Sequence, residues 1–322
     1  MAESKALNTL EFEKPIIEME CKLTELERFA SEKDLDLTHE IDRLKTALQN
    51  KTREIFERLT PWERVQIARH PQRPETNDYV EMMVERFMEL HGDRAFRDDL
   101  SILTGFGTIG GEKVILIGQR KGKNLAERTL YNFGCAHPEG YRKALHKMEL
   151  AARFNIPVVT FINTPGAYPG IEAEERGQFY AIAKNLLEMA RLKTIIISIV
   201  IGEGGSGGAL GIGVADRIAM LENAYYSVIS PEGCAAILWK DPKKKGDAAK
   251  ALRLTAPDLQ ELGIVDDIIP EPLGGAHKDR IKTANNLRDY IKNTIATLRK
   301  VPMKDLVEQR YAKYRKIGFF TE

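Results

Sequence analysis

Cysteine is scarce in this 322-residue chain, which carries only Cys21, Cys135 and Cys234. They form no C-x-x-C pair and have no histidine at ligand spacing, which argues against a self-contained zinc or disulfide framework. Reduced, buried thiols are the expectation. An excess of one charge sign is also missing: 48 Lys plus Arg stand against 47 Asp plus Glu, for a net charge of +1. No strong field therefore favours nucleic acid. No apolar run reaches the roughly 18 residues a membrane span needs. The opening MAESKALNTLEFEKP lacks the apolar core of a signal peptide and is acidic where a transit peptide is not. These absences predict a cytoplasmic protein without a membrane anchor. What is present is ordinary globular usage, 43% hydrophobic and 30% charged residues, which excludes collagen, a fully disordered chain and a disulfide scaffold. At roughly 150 residues per domain the expectation is two domains, with roughly 70% of the unfolded surface available for burial.

Between residues 11 and 59 the apolar positions Ile16, Met19, Leu23 and Leu26, then Ile41, Leu44, Leu48, Ile55 and Leu59, recur at helical spacing. A break at residues 31–38 makes this an αα-hairpin with heavily charged outer faces. Thr60-Pro61-Trp62-Glu63 is a compact helix start, with Thr as N-cap, Pro at the first helical position and Glu closing a capping box. A boundary here divides the chain into a helical hairpin, 1–60, and a larger domain, 61–322. His70-Pro71-Gln72-Arg73-Pro74 reads as extended, and residues 76–90 read as one helix stopped near Gly92.

Residues 102–109 and 114–117 then flank Gly110-Gly111, the pattern of a tight hairpin. Helical and β-branched segments alternate thereafter: helix 139–154, strand 156–162, helix 174–192, strand 194–201. Short strands at 217–221, 225–229 and 264–268 and helices at 231–239 and 257–262 follow, and 279–314 is again helical. The fold class is α/β, built from βαβ units with buried, parallel strands. The basic tract at residues 240–245 reads as a surface loop.

Two glycine-rich segments follow buried strands and precede helices: Asn163-Thr164-Pro165-Gly166-Ala167-Tyr168-Pro169-Gly170 and Gly202-Glu203-Gly204-Gly205-Ser206-Gly207-Gly208-Ala209. That placement brings unpaired N–H groups and a helix N-terminus to the carboxyl edge of a sheet, where ligands of α/β proteins bind. Gly211 and Gly213 continue into the second helix at a cost of about 1 kcal/mol each against alanine, so close backbone packing is expected there. Three chemistries compete. Gly202-x-Gly204-x-x-Gly207, with Glu222 downstream, fits a dinucleotide fingerprint and an NAD-dependent oxidoreductase, although the following helix is short. Gly204-x-Ser206-x-Gly208, with Asp266 or Asp267 and then His277, fits the order of a hydrolase elbow, although four residues separate Ser206 from the apolar run. In the third reading Gly207 and Gly208 aim main-chain N–H groups at a developing oxyanion, while the segment from Pro165 to Pro169, with Tyr168, forms a rigid pocket wall.

At these loops the sequence resembles the alpha subunit family of the bacterial-type acetyl-coenzyme A carboxylase carboxyltransferase. The resemblance extends to Arg69-His70-Pro71-Gln72-Arg73-Pro74, Gly92-Asp93-Arg94, Pro138-Glu139-Gly140-Tyr141-Arg142-Lys143-Ala144, Glu174-Glu175-Arg176-Gly177-Gln178, Ser230-Pro231-Glu232-Gly233-Cys234 and residues 269–277. Asn163 stands where that family more often has Asp. The resemblance implies a crotonase (ClpP/crotonase-like) spiral of ββα units, with the helical hairpin before it and helices after it. It implies carboxyl transfer from carboxybiotin on a carrier protein to acetyl-coenzyme A, giving malonyl-coenzyme A for fatty acid synthesis. In the implied mechanism carbon dioxide is released locally, the biotin enolate takes a proton from the acetyl methyl, and the thioester enolate attacks carbon dioxide. Gly207 and Gly208 would hold the biotin ureido oxygen, with Gly204, Gly205, Thr164, Pro165, Gly166, Ala167, Tyr168, Pro169 and Gly170 forming the carboxybiotin pocket. No covalently bound cofactor and no metal are expected in this chain. The implied partners are a zinc-ribbon beta subunit in an α2β2 assembly, the biotin carboxyl carrier protein and biotin carboxylase. Arg120, Lys121 and Lys123 are candidates for coenzyme phosphates but read equally as solvated charges. A non-catalytic scaffold is the remaining class.

Overall fold

The computed structural model describes residues 9–318; residues 1–8 and 319–322, at the outer ends of the two expected segments, lie outside the described residues. Helices α1 (Lys14–Lys33) and α2 (Thr38–Glu57) form the expected hairpin, turning at Asp34 with φ +50°. They bury little of themselves: within them only Ile16 and Thr52 are buried. A Lys45–Glu27 ion pair of 2.9 Å links the two helices.

Helix α3 (Pro61–Ala68) begins as its sequence predicts. The Glu63 N–H donates to Thr60 Oγ1 (3.3 Å), and the Thr60 N–H donates to Glu63 Oε2 (2.7 Å). These bonds satisfy donors that a helix start leaves open. The proline segment after it is a turn, not an extended run, closed by the Arg73 N–H on the His70 carbonyl at 2.9 Å. The expected helix over 76–90 also divides. Helix α4 (Thr76–Met83) stops, and Val84–Glu89 is strand β1, paired with β2 (Ile102–Ile109). Glycines in β2 explain the switch. Gly105 and Gly107 leave room for the Phe87 ring and Val84 side chain where a Cβ would overlap them, so tertiary packing overrides the helical period.

Strand β2 turns at Gly110 and Gly111, with φ of +55° and +87°, into β3 (Glu112–Gln119). Helix α5 (Leu125–Leu130) and helix α6 (Pro138–Arg153) lead to β4 (Val158–Thr164). The next helix is broken at Gly177, φ +79°, into α7 (Ile171–Glu175) and α8 (Gln178–Arg191). Strand β5 (Ile196–Gly205) runs four residues beyond its apolar stretch and enters α9 (Ser206–Leu210). Strands β6 (Arg217–Leu221) and β7 (Tyr225–Ser227), then helices α10 (Pro231–Leu238), α11 (Lys245–Ala251) and α12 (Ala256–Glu261), precede β8 (Asp267–Ile269). The tail is two helices, α13 (Arg280–Leu298) and α14 (Met303–Arg315), separated at Pro302.

The eight strands form one sheet in the order β1-β2-β3-β4-β5-β6-β8, with β7 also on β5. Pairing is antiparallel through β3 and parallel from there on. Every residue of β4 and β5 is buried, and each fully buried Val, Ile or Leu contributes about 1.5–3 kcal/mol. The first half of β5 pairs with β6 and its last three residues pair with β7. Since Thr164 lies opposite Gly204 in register, the two glycine segments leave the sheet side by side.

Candidate active site

The glycines after β5 are required by contact. A Cβ on Gly202 would lie 2.6 Å from Asn163 Oδ1, and one on Gly205 or Gly208 would overlap the backbone of Pro165 or Gly166. The segment from Pro165 to Gly166 is thus pressed main chain against main chain onto the end of β5 and the start of α9. Thr164 anchors the other side. Its hydroxyl lies 2.7 Å from the Gly134 and Gly166 carbonyls and accepts the Gly166 N–H at 3.1 Å. Gly211 gives way to the Tyr141 ring, so the expected close packing holds there, although Gly211 and Gly213 lie in the turn after α9 and not within the helix.

Gly207 differs from its neighbours. A Cβ there would meet nothing nearer than Ile182 Cδ1, at 3.6 Å. It opens onto a cleft of about 470 Å³ whose walls include Ser206, Leu210, Tyr226, Val228 and Leu259. The first N–H groups of a helix have no intrahelical acceptor. Because the Gly207 carbonyl accepts the Gly211 N–H at 2.9 Å, planarity of the trans peptide directs the Gly208 N–H the opposite way, out of the helix start.

The pocket wall is ordered from behind. The Tyr168 ring stacks on His137 with centroids 4.1 Å apart. The Tyr168 N–H donates to the Ala136 carbonyl at 3.0 Å, and Gln178 Nε2 donates to the carbonyls of Ala136 and Tyr168. Pro165 and Pro169 are exposed, while Gly166, Ala167, Tyr168 and Gly170 are half-buried.

Beneath the glycines lies a buried charge cluster the sequence reading missed. Glu203, 3% exposed, pairs with Arg69 Nε at 2.6 Å and with Lys121 Nζ, and accepts the Tyr225 hydroxyl at 2.7 Å. Arg69 also reaches Glu232 at 2.6 Å. Burial alone would raise the Glu203 pKa, but Lys121 and Arg69 outweigh it and hold the carboxyl at about 2. The available signal was a glutamate set between glycines at the end of an apolar strand. Gln119 was missed too. Its fully buried amide accepts the Asn163 N–H (3.0 Å) and donates to the Gly208 carbonyl (2.8 Å). Asn163 Oδ1 accepts the Glu203 N–H at 3.1 Å, a role an Asp oxygen would serve equally. Arg120 and Lys123, the other candidate phosphate contacts, pair with Glu89 and Asp78.

Two competing chemistries lose their geometry. Gly202 and Gly204 lie inside β5, with Gly204 paired to both β4 and β7, so no loop forms to wrap a dinucleotide, and Glu222 instead accepts the Glu271 N–H at 3.1 Å. Ser206 does sit directly after its strand, with φ +49°, as an elbow would and contrary to the sequence reading. Its triad is absent, however. Asp266 bonds Lys313, Asp267 bonds the Tyr290 hydroxyl, and His277 faces Glu13 at 3.5 Å.

Glu13, His70 and His277 are the one group of three potential metal ligands found among the described residues. The two imidazoles stack at 4.0 Å with planes 19° apart. His70 Nδ1 already accepts the Gln72 N–H at 3.1 Å. With Lys278–Glu20 at 3.0 Å, the group fastens the hairpin to the larger body.

A family model described as acetyl co-enzyme A carboxylase carboxyltransferase-like matches residues 9–318. The acetyl-coenzyme A carboxylase carboxyl transferase subunit alpha of Fusobacterium nucleatum is 52% identical over 312 residues, covering 97% of this chain and 100% of that protein. The protein of the same name from Shouchella clausii is 54% identical, covering 97% and 96%. Among solved structures, transcarboxylase 12S with methylmalonyl-coenzyme A bound is similar with a TM-score of 0.57 and 19% identity, over 71% of this chain and 42% of that one. A Pseudomonas malonate decarboxylase hetero-tetramer in complex with coenzyme A gives a TM-score of 0.55 and 17% identity, over 68% and 89%. These likenesses show a crotonase-like fold. The chain belongs to the acetyl-coenzyme A carboxylase carboxyltransferase alpha-subunit family.

Proposed function

We propose that this chain is the alpha half of a carboxyltransferase that moves a carboxyl group from carboxybiotin, presented by a carrier protein, to acetyl-coenzyme A, yielding malonyl-coenzyme A. The observation that carries the reading is the start of α9, where Gly207 lines an open cleft with room beside its Cα and Gly208 is buried behind it against the Gly166 backbone. Two preorganised N–H donors aimed at one point stabilise an oxyanion without a side-chain base. In this chain they donate to the ureido oxygen of biotin as it takes up negative charge. The partly exposed segment 165–170, stiffened by Pro165 and Pro169 and by the Tyr168–His137 stack, forms the wall beside the donors, while Thr164, Gly204 and Gly205 are buried in β4 and β5 behind it and line no part of the cleft. The thioester side is supplied by a beta subunit carrying a four-cysteine zinc ribbon, in an α2β2 assembly. Biotin carboxylase recharges the carrier, and this chain itself holds no metal. The hairpin, 1–60, is a separate docking unit on the body formed by 61–322.

The test is Gly207→Ala in the reconstituted complex. The added methyl has room within the protein, and alanine favours the helix by about 1 kcal/mol. The variant therefore keeps its thermal midpoint and its partner. Carboxyl transfer falls by roughly 10²-fold, because the methyl displaces a ligand from the donors by about 1 Å. Unchanged transfer by this variant overturns the assignment.

A further inference from the structure

Helix α9 cannot orient its own first turn. It has five residues, Ser-Gly-Gly-Ala-Leu, and helices so short and glycine-rich are not stable alone. Something outside it must fix where the Gly207 and Gly208 N–H groups point. Gln119, the last residue of β3, is placed to do so. Its backbone is held by the Thr76 hydroxyl, which donates to the Gln119 carbonyl at 2.5 Å. Its side chain bonds both glycine segments at once, Nε2 to the Gly208 carbonyl and Oε1 to the Asn163 N–H. Tyr141 Oη adds a longer contact to the same carbonyl, at 3.4 Å.

The amide has one workable orientation. Turned over, it would set its NH2 against the Asn163 N–H and its oxygen against the Gly208 carbonyl, both repulsive. Holding the Gly208 carbonyl fixes the plane of the Gly208–Ala209 peptide. The Gly211 bond to the Gly207 carbonyl fixes the preceding plane. The tie to Asn163 fixes the height of the facing wall relative to both. We propose that Gln119 is a positioning residue for carboxyl transfer, clamping the Gly208–Ala209 peptide that adjoins the Gly208 donor and setting the distance of the first turn of α9 from the 164–170 wall. It touches no substrate, and the proposal rests on the carboxyltransferase reading above.

Two variants test it in the reconstituted complex, Gln119→Met and Gln119→Glu. Methionine fills the volume without either bond. Its kcat with biocytin as acceptor falls about tenfold to a hundredfold, while KM for malonyl-coenzyme A changes less than twofold. A buried glutamate has a raised pKa. Protonated, it restores both bonds, its O–H to Gly208 and its carbonyl to Asn163; ionised, it opposes the Gly208 carbonyl. The ratio of Gln119→Glu to wild-type activity therefore rises about tenfold from pH 8 to pH 6. Hydrogen exchange provides a readout independent of catalysis. In Gln119→Met the peptide spanning residues 204–212 exchanges at least fivefold faster, while α6 and β6 are unaffected. Wild-type kcat in both variants, a pH-independent ratio, or exchange unaltered in that peptide overturns the positioning role. If the wild-type complex transfers no carboxyl group, the carboxyltransferase reading fails, and the exchange experiment alone still decides whether Gln119 holds the loop.

Discussion

Replacing Glu203 by Gln removes the charge that Arg69 and Lys121 both face beneath the glycine loop. The magnitude follows from the carboxyl itself. Its pKa is held at about 2 against an ordinary 4.5 by Lys121 and Arg69, which is worth about 3 kcal/mol. The sign is that of a depressed carboxylate. The stabilisation is complete above pH 4.5, declines as pH falls below that, and is lost once pH passes 2. By pH 3 less than half of it survives. Glu203→Gln is therefore expected to be about 3 kcal/mol less stable than the wild type at pH 7, and the gap should narrow at pH 4 and further at pH 3. Urea unfolding followed by tryptophan fluorescence reads this, since Trp62 packs against the cluster containing Tyr225. A variant as stable as the wild type at pH 7, or a gap unchanged down to pH 3, refutes the assignment of a buried ion cluster under the loop.

Arg310→Met should cost about 3–5 kcal/mol in the same unfolding experiment, because it leaves Asp216 buried without its guanidinium partner. Arg310 is fully buried and bonds both Asp216 oxygens at 2.8 Å, and three carbonyls besides. Asn163→Asp keeps an oxygen that accepts the Glu203 N–H, so carboxyl transfer should fall by less than about tenfold. Asn163→Leu removes that acceptor and should destabilise by about 1–3 kcal/mol, measured by thermal unfolding.

The sequence was most readable where local signals and packing agree. The Thr60 cap, the Gly110-Gly111 hairpin and the buried runs of β4 and β5 each have a short-range cause. It was least readable where a distant partner decides. Residues 84–89 carry a helical period but become strand because glycines in β2 admit Val84 and Phe87. Gly202–Gly205 resemble a loop yet remain in the sheet, because β4 and β7 flank them. For the site, the glycines and the proline-stiffened wall could be singled out from the sequence. Glu203 carried only the signal of a glutamate between glycines, and Gln119 and Arg69 carried none, since the bonds that matter run to residues 44, 82 and 134 positions away.

Carboxyl transfer by two chains that are inactive apart is the property to measure. Malonyl-coenzyme A decarboxylation with biocytin as acceptor should be followed for this chain alone, for the proposed beta subunit alone, and for the two mixed. Activity confined to the mixture, and reduced about a hundredfold by Gly207→Ala, is the expected result. A verified complex that shows no activity, or full activity of either chain alone, contradicts a site shared between two subunits.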